Sequence, residues 1–189
     1  MSPRLTRSRP PVTDLVIYTD AATTTQIIAA VLIDPRSFRT TKTTSAVISS
    51  KVGPHWRTLF ASTCEIYGLE MLAILAILFD PLSGLTGLNI IFFVDNNNSL
   101  EALVSNAPGP RVIAAMTQLI WYKIADLNAA VWFERVPSNK NIADLPTKLK
   151  PMPFPSAHIT NFKCLKRAYD LIVTALADME AGRPVRPPV

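Results

Sequence analysis

The chain has 189 residues, 49% of them hydrophobic, a net charge of +5 and an isoelectric point near 9.4. That length suits one domain with tails and a sizeable core. No apolar run reaches a membrane span, the N-terminus MSPRLTRSRPP lacks the apolar segment of a secretory signal, and the two cysteines, Cys64 and Cys164, form neither a disulfide framework nor a zinc pattern. The expected setting is therefore intracellular, nuclear or cytoplasmic, with no membrane partner.

Residues 1–13 are rich in Pro and Arg and read as a disordered tail. LVIYT at 15–19 is an apolar strand that ends in Asp20, and 21–25 are small and polar, as in a turn. QIIAAVLI at 26–33 is a second strand, closed by Asp34 and Pro35. TTSAVISSK at 43–51 alternates as a third strand with one solvated face, and the short connections imply an antiparallel meander. A connector at 52–64 leads to EIYGLEMLAILAILF at 65–79, a helix apolar nearly all round and so packed on the sheet.

After a loop at 80–88 comes NIIFFVDNNNSLEALV at 89–104. Residues 90–94 are β-branched and aromatic, the composition of a strand buried on both faces. Asp95 stands at its tip, and Ser99 reads as the N-cap of a helix carrying Leu100, Leu103 and Val104. Taken alone, Asp95 also reads as a turn former. Beyond a break at 106–110, residues 112–127 have helical spacing, AVWFERV at 130–136 is a strand, and NIADLPTKL at 141–149 begins a short helix that Pro146 is expected to end. A Pro-rich linker at 151–155 precedes a helix at 161–180 with a stripe of Leu165, Tyr169, Ile172, Val173 and Leu176, and 181–189 read as a disordered tail. A meander followed by strands alternating with helices gives an α/β mixed sheet flanked by helices.

Four acids share a logic. Asp20 and Asp95 end strands, Asp144 opens the short helix after the last strand, and Glu70 lies on an otherwise apolar helix, where an acid is costly unless paired or bound to metal. Glu65 is its rival, nearer the helix start, where the helix dipole accounts for an acid. Clustered carboxylates without histidine favour hard cations, Mg²⁺ or Mn²⁺, and two such ions about 4 Å apart suit phosphodiester displacement. The two histidines, His55 and His158, fall in expected loops, and no phosphate-binding glycine motif or nucleophile elbow is present. A basic chain with acids at its strand tips has both signs needed to hold phosphates and metal.

IYTDAA at 17–22, IYGLEMLAILAI at 66–77, FFVDNNNSLEAL at 92–103 and WFERVPSNKNIADLPTK at 132–148 together resemble the four motifs of a ribonuclease H domain. The last, a strand followed by RVPS, NIAD and P-[ST]-[KR], resembles the domain that follows the reverse transcriptase in eukaryotic retroelements, especially the DIRS-like, tyrosine-recombinase group. The resemblance covers about residues 15–148. It implies a five-stranded sheet of order 3-2-1-4-5 in a domain at 14–150, followed by linker and helix at 151–180. It also implies a two-metal site made by Asp20, Glu70, Asp95 and Asp144, with Glu70 preferred over Glu65 because EMLAILAIL matches the family's helix. Asp20 and Asp95 would bridge metal, with Glu70 and Asp144 at the second ion.

The chain departs from the family pattern in having Ala21 and Ala22 after the first aspartate, Ser138 and Asn139 where a histidine is common, and only NAPGPR in place of a basic insertion. The activity implied is endonucleolytic cleavage of the RNA strand of RNA–DNA hybrids, leaving a 5′-phosphate and a 3′-hydroxyl. The partners implied are the hybrid and a reverse transcriptase domain in a parent polyprotein. The alternative is an inactive domain of the same fold, kept as a nucleic-acid-binding or protein-interaction module. The four carboxylates are expected to converge about 3–6 Å apart, with at least one of raised pKa.

Overall fold

A computed structural model of the chain describes residues 12–36, 45–81, 83–105, 109–153 and 158–186. Most of the expected N-terminal tail, the last three residues of the C-terminal one, and parts of the third strand, the break at 106–110 and the linker lie outside these residues. β1 (Leu15–Ala22), β2 (Ile27–Ile33) and β3 (Ser45–Lys51) form the antiparallel meander. On the other side of β1, β4 (Asn89–Val94) and β5 (Ala130–Arg135) continue the sheet in parallel.

The order is β5-β4-β1-β2-β3-β6. The expected five-strand order is therefore present, and the expectation of five strands is corrected to six. The addition, β6 (His158–Thr160), pairs parallel to β3. Three residues are too few to show an alternating pattern, and the open edge of β3 recruits them by backbone hydrogen bonding.

Among the described residues six α-helices accompany the sheet: α1 (His55–Leu59), α2 (Glu65–Phe79), α3 (Asn97–Ser105), α4 (Arg111–Asp126), α5 (Asp144–Thr147) and α6 (Leu165–Glu180). The main core gathers one face of the sheet with α2, α4 and α6. From Met71 to Leu78 every side chain of α2 is essentially sealed from solvent, as a helix without a polar face requires. On the opposite face of β1–β3, α5 covers a smaller cluster of Val31, Ile33, Val47 and Ala143, flanked by Tyr18, Ile142 and Met152.

Several local expectations change. The connector at 52–64 contains α1, whose Trp56 is buried, and the Phe60 ring beyond it lies against Gly68, where a Cβ would collide with that ring. Asn96, in place of Ser99, caps α3: its Oδ1 accepts hydrogen bonds from the N–H groups of Asn98 (2.9 Å) and Ser99 (3.2 Å). Pro146 does not end α5; it sits inside the first turn, where a missing N–H costs nothing.

The last helix starts at Leu165, four residues after its expected start, because β6 and the turn after it take up the preceding chain. It packs on its own domain, and Ala168, Ile172 and Ala175 line its buried face, while Val173, expected on the stripe, is 42% exposed. The C-terminal piece thus shares one sheet and one core with residues 14–150. Residues 183–186, expected as tail, are tied down: Val185 is buried, and Asp178 on α6 pairs with Arg183 (2.8 Å) and Arg186 (3.2 Å).

Candidate metal centre

β1 and β4 run parallel with Tyr18 opposite Phe93. Continuing that register by two places sets Asp20 beside Asp95 at the carboxyl ends of adjacent strands, where open α/β sheets put their chemistry. Tyr18 and Phe93, two residues earlier on the same face, stack with centroids 4.8 Å apart. α2 crosses this end of the sheet and delivers Glu70 from its second turn, where the Ala21 N–H donates to the Glu70 carboxylate. Carboxylate oxygens of Asp20, Glu70 and Asp95 all lie within 4.8 Å of one another.

Asp20 and Glu70 are 4% and 3% exposed, and Asp95 is half-buried. Glu70 Oε2 and Asp95 Oδ1 are sealed from solvent yet have no hydrogen-bond partner among the described residues. Buried polar oxygens left unpaired are rare and costly. Three converging carboxylates with no histidine or thiol form a donor set for a hard divalent cation, which would satisfy both orphaned oxygens. The residues present therefore fit Mg²⁺ or Mn²⁺.

Crowding and burial shift the acids. Burial raises the Asp20 pKa to about 7, with Asp95 and Asp144 adding to the rise, while the Thr147 hydrogen bond and Lys148 oppose it. Burial, then the charges of Asp20 and Asp95, hold Glu70 well above the usual carboxylate range. Without a cation the cluster thus retains a proton near neutrality.

Three of the four expected site residues meet here. The fourth, Asp144, lies close enough to act on Asp20 but is not among the three whose oxygens converge. Its Oδ1 is paired with Lys148 Nζ at 2.6 Å. Glu65 is turned elsewhere: its Oε1 accepts from Gln26 Nε2 (2.8 Å) and Arg57 Nε (3.0 Å), so of the two glutamates Glu70 is the one whose carboxylate meets the two aspartates.

The segment 141–148 holds the site together through residues to which the sequence reading gave no role. Asn141 Nδ2 donates to the Thr19 carbonyl (2.9 Å), locking the strap to β1 beside Asp20. The fully buried Thr147 donates its hydroxyl to Asp20 Oδ2, and its own carbonyl accepts from Thr25 Oγ1 (2.7 Å). Lys148 brings a positive charge near three acids, and its pKa is raised by the bond to Asp144 and the charges of Asp144, Asp20 and Asp95. The signal for all three lay in NIADLPTK itself: an Asn, a hydroxyl and a Lys placed around the acid.

Fold and site together define a mixed α/β protein with a buried carboxylate triad at its strand tips. Among solved structures the chain is similar to the N-terminal RNase H domain of Rv2228c from Mycobacterium tuberculosis, solved as a fusion with maltose-binding protein. That match covers 69% of this chain and 86% of the other, at 10% identity and a TM-score of 0.39. No family model and no curated protein matches the chain.

Proposed function

We propose that the protein is a metal-dependent endoribonuclease of ribonuclease H type that cuts the RNA strand of RNA–DNA hybrids, derived from a DIRS-like retroelement. The observation that supports this best is the triad: three carboxylates within 4.8 Å, two of their oxygens buried and unpaired, at adjacent strand tips. Asp20, Glu70 and Asp95 would hold divalent metal, with Asp144 as the fourth ligand once released from Lys148. Bound Mg²⁺ or Mn²⁺ supplies water activation and charge neutralisation at a phosphate. The chain's own contribution is to fix the acids: β1 and β4 by register, α2 by packing, and the 141–148 strap by its hydrogen bonds. A net charge of +5 favours a polyanionic substrate. Such a domain would act inside the cell, beside a reverse transcriptase in its parent polyprotein.

One observation favours the alternative of an inactive nucleic-acid-binding or protein-interaction module: Asp144 is paired with Lys148, outside the converging set. Cleavage of an end-labelled RNA–DNA hybrid by the full chain in Mg²⁺, Mn²⁺ or EDTA separates the two. The enzyme reading expects cuts in the RNA strand only, in the presence of metal and abolished by EDTA. Hybrid binding without cleavage in either metal would favour the module and overturn the enzyme.

A further inference from the structure

Asp20 is a buried acid of the triad, and among the described residues Thr147 is its one hydrogen-bond donor. A buried carboxylate with a single anchor can rotate about its last torsion, and which oxygen it presents to the cluster then depends on that anchor. Thr147 is well built for the task. It is fully buried, closes α5, and is itself fixed by Thr25 Oγ1 on its carbonyl, while Asn141 pins the start of the same strap to Thr19.

We propose that Thr147 is a positioning residue for the metal centre: its hydroxyl ties down Asp20 Oδ2 and so aims the other oxygen of that carboxylate at the cation. The inference rests on the metal reading of the triad. Donors behind a ligating carboxylate typically affect metal affinity about 10–100-fold when removed. Thr147→Val keeps the shape and deletes the hydroxyl, Thr147→Ala deletes it with less bulk, and Thr147→Ser restores it.

The test is Mn²⁺ titration calorimetry on the full chain without nucleic acid, alongside hybrid cleavage kinetics and thermal melts. Val and Ala are expected to weaken Mn²⁺ binding at least about tenfold and to lower kcat while leaving KM for the hybrid unchanged; Ser is expected to restore both. If Val fails to fold, Ala with Ser decides. Wild-type Mn²⁺ affinity in the hydroxyl-less variants overturns the proposal alone, as does a Ser variant as impaired as Ala. A wild-type chain that binds no Mn²⁺ overturns the metal reading and this proposal with it.

Discussion

At the scale of single residues, the two most buried acids of the site oppose the fold that carries them. Asp20 and Glu70 hold their protons more tightly folded than unfolded, Asp20 moving from 3.8 to about 7. The sign follows from linkage. Where the folded state binds more protons than the unfolded one, stability falls as pH rises. The contribution of Asp20 is fully present below its unfolded value of 3.8 and is lost as pH passes through about 7. Metal-free protein is thus expected to lose stability, on the order of a few kcal/mol, across that window, as urea titrations at stepped pH would measure. A flat profile in EDTA would count against a crowded, buried site. Asp95→Asn removes one of the charges acting on both neighbours, so cleavage is expected to vanish while the metal-free melting temperature stays level or rises slightly. A large loss of metal-free stability would mark Asp95 as structural.

The same scale shows what could be read in the chain. Asp20, Asp95 and Glu70 were legible because each breaks a local rule: an acid closing a buried strand, or an acid inside an apolar helix. Thr147 and Asn141 break none. Hydroxyls and amides are common in loops, and their value depends on contacts 122 and 127 residues away, with Thr19 and Asp20. The pairing of Asp144 with Lys148 was likewise hidden, although their i,i+4 spacing allowed it.

Elements show where the fold is tightest. Ile172 on α6 is fully buried in the main core. Ile172→Ala is expected to cost about 2–5 kcal/mol, whereas Val173→Ala on the exposed side is expected to cost under about 0.5 kcal/mol. Equal, small effects of the two in chemical denaturation would mean that α6 is not docked. Gly68 is the converse case: a methyl there collides with the Phe60 ring, so Gly68→Ala is expected to destabilise by about 1–3 kcal/mol despite raising helix propensity. Strong periodic elements such as α2 and β4 were legible from composition. α1 and β6 were not, because five- and three-residue elements are held by tertiary partners, Trp56 and Phe60 in the core for one and the β3 edge for the other. Asn96 could displace Ser99 as cap because three asparagines in a row each offered the same chemistry.

For the whole molecule, site and stability are one equilibrium. A cation that binds only the folded state stabilises it by about 2.7 kcal/mol at a hundred times its dissociation constant. Here it must also displace the protons that Asp20 and Glu70 retain, so binding weakens as pH falls below about 7. The melting temperature is therefore expected to rise on adding Mn²⁺ at about pH 8 and to change little at about pH 5, where the proton already occupies the cluster. Glu70→Gln replaces a buried acid of raised pKa with a neutral group of the same shape. At the higher pH that variant is expected to melt above the wild type in EDTA and to lose the Mn²⁺-induced rise. The two effects have opposite signs, which separates them from a simple loss of packing, since a packing defect would lower the melting temperature in both conditions. Scanning calorimetry of wild type and variant, with and without Mn²⁺ at both pH values, gives the full comparison. An equal Mn²⁺ shift in the variant, or a wild-type shift independent of pH, would place any cation binding outside the triad.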